Sequence, residues 1–168
     1  MEEIWVDREK CLHCLSCVLS CAVAHAEGCG LPEAIGRSPG PKPRLFTVHD
    51  ADRFFILMCR HCENAPCVEA CMAAAITRDV SSGLVNVDTE RCVGCWMCVM
   101  VCPFEVIGQD KERQVSVKCD RCPGRDRPAC VEACPMGALF LRDAGKQSEI
   151  IRERYAAQYA GAERGAGR

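Results

Sequence analysis

The stretch Cys92-Val-Gly-Cys95-Trp-Met-Cys98-Val-Met-Val-Cys102-Pro103 decides how this chain folds. It has the form C-x2-C-x2-C-x3-C-P. In such a run the first three cysteines bind one 4Fe-4S cluster, while the fourth, before the proline, ligates a different cluster. Because one ligand goes to a second cluster, the run predicts a partner motif elsewhere in the chain.

Three further cysteine motifs meet this requirement. One repeats the same intervals, and the other two lengthen the middle gap. In chain order the motifs are Cys11, Cys14, Cys17 and Cys21; Cys59, Cys62, Cys67 and Cys71; Cys92, Cys95, Cys98 and Cys102; and Cys119, Cys122, Cys130 and Cys134. Sixteen iron ligands in four motifs predict four 4Fe-4S clusters.

Zinc and disulfide bonds are the alternative uses of so many cysteines. Tetrahedral zinc takes two C-x2-C pairs from separate loops, and a third and fourth cysteine in the same run do not suit that geometry. A disulfide framework requires a secreted protein, but residues 1–5 carry neither a basic region nor an apolar segment of a signal peptide. The motifs therefore favour iron.

The chain has 168 residues and only two Trp, two Tyr and five Phe. These aromatic residues and a modest aliphatic content make a thin core, so metal ligation is expected to supply much of the folding free energy. The formal net charge of −2 counts every cysteine as neutral. With sixteen thiolates and four oxidised cluster cores, the loaded protein carries about −10.

This negative balance argues against nucleic acid as a partner, because no basic stripe with interleaved aromatic residues is present. No apolar stretch reaches the length of a membrane span, since residues 54–59 are too few and the run at 95–107 is interrupted by cysteines. We therefore expect a cytoplasmic protein.

Short strands and helices are predicted around the motifs. The expected strands are residues 4–7, 44–48, 54–58, 75–77, 84–88, 106–107, 115–117 and 137–141. The second to seventh of these form three successive hairpins, and the last is a candidate to pair with the first. A helical turn at 17–25 carries Cys21. Residues 27–43, rich in Gly and Pro, are expected to hold no long regular structure.

Residues 147–160 are predicted to form a C-terminal helix with Ser148 as its N-cap. Apolar residues recur every four positions at Ile151, Tyr155 and Tyr159. Glycines at 161, 165 and 167 predict a frayed end. The helix packs either on its own domain or on a partner subunit.

No catalytic arrangement is found in the sequence. A Ser-His-Asp set, paired catalytic carboxylates, a Rossmann glycine pattern and a P-loop are all missing. A substrate-binding iron would need a motif with three cysteines, and every motif has four. The seventeenth cysteine, Cys29, belongs to no motif, and a free thiol is favoured there over a substitute ligand. We therefore expect a protein without catalytic activity.

The four motifs together resemble the polyferredoxin electron-transfer subunits related to the beta subunits of dimethyl sulfoxide reductase and formate dehydrogenase. The chain is most similar to the shorter subunits that accompany carbon monoxide dehydrogenases, hydrogenases and tungsten-dependent aldehyde oxidoreductases. Residues 4–141 carry the resemblance, most clearly Cys92 to Pro103, Lys118 to Cys122 and Pro128 to Pro135.

The resemblance implies nested motifs, in which the first pairs with the fourth and the second with the third. The implied ligand sets are Cys11, Cys14, Cys17 and Cys134; Cys119, Cys122, Cys130 and Cys21; Cys59, Cys62, Cys67 and Cys102; and Cys92, Cys95, Cys98 and Cys71. Spacing alone also allows sequential pairing, of motif one with two and three with four. The predicted strand at 137–141 favours nesting.

The resemblance implies an α+β fold of two nested ferredoxin-like modules with short β-hairpins and helices. Residues 1–26 and 118–142 would form the outer module and residues 58–117 the inner one. Residues 27–57 are an inserted loop and strands, and residues 143–168 a C-terminal helix and frayed tail. Motifs one and two lack the usual proline, with Ala22 and Met72 in its place. We expect altered local geometry there and no lost ligand.

Several cationic and imidazole groups lie beside the cysteines and could tune the clusters. They are Lys10, Arg91 and Lys118 before three of the motifs, Arg60 within the second, and His13 and His61 inside C-x2-C loops. Positive charge there would favour a reduced cluster, whereas solvated side chains at loop entrances would have little effect.

The expected function is that of an electron-transfer subunit of an oxidoreductase complex. It would pass single electrons between a catalytic subunit and a second redox partner. The resemblance favours a tungsten or molybdenum aldehyde oxidoreductase as catalytic subunit, followed by carbon monoxide dehydrogenase, formate dehydrogenase or hydrogenase. The alternatives are a free-standing polyferredoxin carrier and a scaffold that does not conduct electrons, and self-association stays open.

Overall fold

The computed structural model describes residues 2–26, 28, 30–50 and 53–165. Cys29, predicted above to be a free thiol, and Gly167 lie outside these ranges. The described chain forms, in order, β1 Glu2–Val6, α1 Ser16–Ala24, α2 Leu31–Gly36, β2 Phe46–Asp50, β3 Arg53–Leu57, α3 Pro66–Glu69, β4 Ile76–Arg78, β5 Val85–Val87, α4 Met97–Val101, β6 Gly108–Asp110, β7 Val115–Val117, α5 Ala129–Glu132, β8 Leu139–Asp143 and α6 Ala144–Gly165.

The strands pair only two by two, and every pair is antiparallel. Three of the pairs are hairpins, namely β2 with β3, β4 with β5 and β6 with β7. The fourth joins the two ends of the fold, because β1 pairs with β8 and places Ile4 opposite Leu141. The predicted pairing of the first and last strands is therefore confirmed. Motif one follows β1 and motif four precedes β8, so both motifs adjoin the same small sheet.

The cysteine loops turn through left-handed backbone conformations. Leu15 and Trp96, which precede α1 and α4 at equivalent places in motifs one and three, have φ angles of 61° and 63°. Gly94, with φ of 65°, lies where a Cβ atom would come 2.6 Å from the carbonyl oxygen of Gln114. Only glycine is tolerated at such a position, so motif three packs directly against the turn before β7.

Two separate cores hold the elements together, and cysteines form part of each. The first contains Ile4, Leu45, Met58, Val131 and Leu139 with Cys17, Cys21 and Cys130. The second contains Ala65, Ile76, Val85 and Ile107 with Cys98, and Cys62, Cys67, Cys71 and Cys102 pack against it. Helix α1 of motif one contacts α5 of motif four, and α3 of motif two contacts α4 of motif three.

Two predicted stretches differ from the structure. Residues 27–43 include a six-residue helix, α2, with Pro32 in its first turn, where a missing N–H has no cost. The strand predicted at Val106 and Ile107 begins at Gly108 instead. Val106 and Ile107 are buried, at 2% and 5% exposure, before the strand starts, so their apolar character reflects core packing. Ala51 and Asp52, between the strands predicted at 44–48 and 54–58, lie outside the described residues.

The C-terminal helix is longer than predicted and has a different cap. It begins directly after β8 at Ala144, where the carboxylate of Asp143 accepts hydrogen bonds from the backbone N–H of Gly145 at 3.0 Å and of Lys146 at 3.3 Å. Asp143 thus acts as the N-cap, and Ser148 lies inside the helix. Gly161 and Gly165 are also helical, so the prediction of a frayed end at these two positions is wrong.

The apolar face of α6 is largely uncovered. Ile151, Tyr155 and Tyr159 are 50%, 63% and 62% exposed, and α6 contacts chiefly β8. Most of this face therefore does not pack on the other residues that the structure describes. No helix within the described ranges is both long enough and apolar enough to cross a membrane.

Candidate cluster-binding site

The sixteen motif cysteines are all free of disulfide bonds. Four of them line one small cavity between motif one and β8. These are Cys11, Cys14, Cys17 and Cys134, and the remaining walls are mostly apolar, with Leu15, Phe54, Ile56 and Leu139 among them. Three cysteines of motif one thus share a cavity with the last cysteine of motif four.

A second cavity of the same kind lies between motifs two and three. It is lined by Cys71, Cys92, Cys95 and Cys98, with Ile76, Trp96 and Ser116 beside them. Ser116 is 3% exposed, and its hydroxyl lies 3.5 Å from the sulfur of Cys92 and 3.4 Å from that of Cys98. A buried hydroxyl is thereby held between two sulfurs, a contact that was not predicted from the sequence.

Among the other eight cysteines, electrostatic interactions connect seven in two groups, one around Cys67 and one around Cys130. Burial raises the pKa of Cys67 to about 11, and the neighbouring Cys59 and Cys102 raise it further. Burial likewise raises the pKa of Cys130 to about 12, with added contributions from Cys119, Cys21 and Cys122. In each group the last cysteine of one motif lies beside cysteines of another motif.

Raised thiol pKa values at some of these cysteines disfavour unpaired thiolates there, whereas hydrogen bonds lower the pKa of Cys14, Cys92 and Cys122. Burial also raises the pKa of Cys17 and Cys98, because a charged sulfur in an apolar wall loses its water. Iron removes this penalty by binding the thiolate directly. The candidate ligands in these cavities are therefore soft sulfur atoms in a largely apolar enclosure, which fits an iron-sulfur cluster.

Backbone N–H groups point at the sulfurs that end three of the motifs. The N–H of Ala138 donates to Cys134 at 3.1 Å, that of Ala75 to Cys71 at 3.2 Å, and that of Arg44 to Cys21 at 3.2 Å. Such bonds to sulfur stabilise negative charge and adjust cluster potentials. The Ala75 and Ala138 donors each lie four residues after their cysteine, whereas Cys21 takes its donor from the insertion.

An ionic group that the sequence did not reveal ties motif one to motif four. His25 follows α1, and its Nε2 lies 3.0 Å from Oδ1 of Asp120 and its Nδ1 2.7 Å from the carbonyl oxygen of Cys21. Arg44 also donates to Asp120. The side chains of His25, Asp120 and Cys122 lie close enough together to hold a metal ion. Cys122, however, already belongs to the group of cysteines around Cys130.

The charges within this group support one another. Burial acts to lower the pKa of His25, but its hydrogen bonds with Asp120, Cys122 and Cys21 outweigh this and raise the pKa to about 12. Burial acts to raise the pKa of Asp120, and its bonds to His25 and the N–H of Cys122, with the charge of Arg44, lower it to about 2. An imidazolium and a carboxylate thus link elements 95 residues apart.

Asp120→Asn is expected to lower the free energy of unfolding of the loaded protein by about 2 kcal/mol, less than for a fully buried pair because Asp120 and Arg44 are partly exposed. His25 and Arg44 would both lose their anionic partner. Anaerobic unfolding by guanidinium, followed by the visible absorption of the clusters, measures the change. Asp126→Asn, an exposed position in the same loop, is the matched control. Equal stability of the two variants would contradict the assigned role.

The charged residues predicted near the motifs occupy different environments. Lys10 is solvated, with its side chain 60% exposed at 3.7 Å from Asp7, and Arg60 pairs with Glu3 at 3.5 Å. Arg91 and His13 are exposed. By contrast, Lys118 and His61 are each only 2% exposed, so the interpretation of Lys118 as a solvated residue at a loop entrance is wrong.

The comparisons with known proteins agree with this sulfur-rich site. The sequence profile of the 4Fe-4S dicluster domain matches residues 51–144. An iron-sulfur protein of Rhodospirillum rubrum is 36% identical, covering 94% of this chain and 90% of its own. The electron transport protein HydN of Escherichia coli is 34% identical, covering 90% and 93%.

The thiosulfate reductase electron transfer subunit PhsB of Salmonella typhi is 36% identical over 79% of this chain and 71% of its own. HydN and PhsB are named for electron transport or transfer, in agreement with the expectation of a protein that moves electrons without transforming a substrate. With the profile match over more than half of its length, the chain belongs to the 4Fe-4S dicluster family of iron-sulfur proteins.

Proposed function

We propose that this protein binds four 4Fe-4S clusters and relays single electrons through them between a catalytic oxidoreductase subunit and a second redox partner. The ligands of the four clusters would be Cys11, Cys14, Cys17 and Cys134 (set one); Cys119, Cys122, Cys130 and Cys21 (set two); Cys59, Cys62, Cys67 and Cys102 (set three); and Cys92, Cys95, Cys98 and Cys71 (set four). The cavities lined by sets one and four support this nested assignment.

Electrostatic contacts between the sets support a linear order. The charge of Cys17 in set one raises the pKa of Cys130 in set two. In the same way, Cys59 of set three raises the pKa of Cys119 in set two. Cys98 of set four raises that of Cys67 in set three. Each set therefore neighbours the next. When bound, a 4Fe-4S cluster supplies a one-electron couple whose potential depends on hydrogen bonds, charge and burial.

The exposure of individual cysteines suggests where electrons enter and leave. Cys14 of set one and Cys95 of set four are exposed, and these sets lie at the two ends of the order. In set two, Cys21, Cys122 and Cys130 are all buried. The chain itself buries most of set two, directs N–H groups at sulfur, and leaves each end accessible to a partner.

The two cores support the modular division expected from the sequence. The first core joins elements of residues 1–26 and 118–142, with Met58 added from the start of the inner segment, and the second joins elements of residues 58–117. Leu45, from the insertion at 27–57, packs in the first core. We therefore assign the insertion to the outer module and treat residues 143–168 as an appendage.

For the catalytic partner we favour a molybdenum or tungsten oxidoreductase, with aldehyde oxidation as its reaction, acting in the cytoplasm. The resemblance described above supports this choice, with carbon monoxide dehydrogenase, formate dehydrogenase and hydrogenase as further candidates. The apolar face of α6 is not covered by the other described residues. This exposed face supports a subunit of a complex over a free-standing carrier.

Anaerobic purification followed by iron analysis and a redox titration monitored by electron paramagnetic resonance tests the relay. We expect about sixteen irons per chain and four reducible clusters. Gel filtration of native extract is expected to place the protein in a complex larger than its own 18.4 kDa. Zinc in place of iron would refute the proposal, and elution as a lone small species would favour the free-standing carrier.

A further inference from the structure

Two buried polar side chains meet at Val85, between the loops of motifs two and four. Lys118 and His61 are each 2% exposed and Val85 is 1% exposed. The backbone N–H of Val85 donates to Nδ1 of His61 at 3.0 Å, and its carbonyl oxygen accepts from Nζ of Lys118. One residue of β5 thus joins side chains from two motifs.

The ammonium group of Lys118 contacts backbone carbonyl groups but no anionic side chain among the described residues. Its Nζ donates to the carbonyl oxygens of Val85 and Cys119, the latter at 2.9 Å. Within the ranges that the structure covers, no carboxylate forms an ion pair with it. A buried cation is costly unless an opposite charge compensates it, so the site calls for negative charge that the chain alone does not supply.

The sulfurs near Lys118 belong to two different sets. Nζ of Lys118 donates to the carbonyl oxygen of Cys119 in set two. Its other acceptor, Val85, belongs to the second core, against which Cys67 of set three packs. Lys118 therefore lies at the junction where the two cores meet. Four thiolates on either side would provide the missing negative charge.

His61 presents a second unmet requirement at the same junction. Because Nδ1 accepts from Val85, the neutral ring carries its proton on Nε2. The Nε2 atom is buried and has no hydrogen-bond partner among the described residues. A buried donor without an acceptor is destabilising.

We propose that Lys118 and His61 are positioning residues that set the potentials of the two inner clusters. The charge of Lys118 would favour the reduced form in both set two and set three. The Nε2–H of His61, which no cysteine of the four sets accepts, would donate its hydrogen bond to the cluster that set three holds. Reduction adds one electron and no atom, so the buried charge compensates it without proton uptake. This inference rests on the proposed function and extends it to the junction of the modules.

Lys118→Met tests the inference through the potentials of all four clusters. At a fixed ambient potential, we expect the reduced-to-oxidised ratio to fall about tenfold at two clusters, equivalent to about 59 mV for one electron. The other two clusters would be unchanged. Lys118→Arg, which keeps the charge, would shift the ratio much less. Lys10→Met, at an exposed lysine beside set one, is the matched control and would shift none.

A purely structural role for Lys118 predicts a different pattern. Four unchanged potentials, an equal shift at all four clusters, or an equal shift in Lys10→Met would each overturn the inference while leaving the relay intact. If Lys118→Met assembles fewer than four clusters, Lys118→Gln, which keeps a donor but no charge, gives the same comparison. Fewer than four clusters in the unaltered protein would instead overturn the proposed function.

His61→Asn separates the hydrogen bond from the charge. Asparagine offers an oxygen to the N–H of Val85 but lacks the distal N–H of the ring. We expect the potential of one cluster in the shifted pair to fall, with all four clusters retained. No shift in that pair would show that the Nε2 proton has another role.

Discussion

Removing the iron under anaerobic, reducing conditions is expected to unfold both cores of this protein. Three of the eight residues of the first core are cysteines, and in the second core Cys98 is joined by four half-buried cysteines. The sheets have only two strands each, and such sheets are marginal alone. The binding free energy of the metal is therefore largely the folding free energy.

Circular dichroism and limited proteolysis of chelator-treated protein measure this loss. We expect the cooperative thermal transition to disappear and residues 2–143 to become sensitive to protease. Residual helical signal would come from α6, whose 22 residues exceed the length at which isolated helices become marginal. The control is the same treatment followed by iron and sulfide, which should restore the transition. A cooperative transition retained in iron-free protein would contradict the expectation.

Double cysteine variants should distinguish nested from sequential ligation by iron content. Under nesting, Cys14→Ala with Cys134→Ala removes two ligands from set one only, so at most one cluster is lost and about twelve irons remain. Under sequential pairing the same two cysteines ligate different clusters, and both clusters lose a ligand. Cys95→Ala with Cys71→Ala repeats the comparison for set four.

Iron analysis and electron paramagnetic resonance on anaerobic samples read out these variants. The matched control is Cys29→Ala, the one cysteine outside the motifs, which should keep about sixteen irons. If Cys14→Ala with Cys134→Ala altered the electron paramagnetic resonance signals of two clusters, the nested ligation would be refuted. A loss of iron in Cys29→Ala would show that the seventeenth cysteine is a ligand.

The sequence predicted the parts of the fold that depend on local pattern. The hairpins β2–β3 and β4–β5 follow from short apolar runs separated by polar turns, and the β1–β8 pair from the strand after motif four. The helix α6 was predicted to start too late, because Asp143 ends a strand and caps a helix at once. Nothing in the local composition marks such a dual role.

Side chains whose environment is set by distant segments were not predictable. Lys118 stands at a loop entrance, where lysine is usually solvated, and its burial depends on Val85, 33 residues earlier. His25 and Asp120 are 95 residues apart, and although Asp120 lies inside motif four, nothing in its local sequence indicates a histidine partner from beside motif one. Ser116 gave no signal because a lone serine in a strand is common. Each required the packing of one motif against another.

Pairing the first strand with the last also determines when each half of the protein can be completed during synthesis. All residues of the second core lie within 58–117. This core can therefore close while the residues after 117 are still inside the ribosome. The thiols of motif one emerge first, yet the strand that pairs with β1 is not finished until Asp143 is translated. Under the proposed nesting, those early thiols would have no partner cysteine from motif four until the end of the fold is translated.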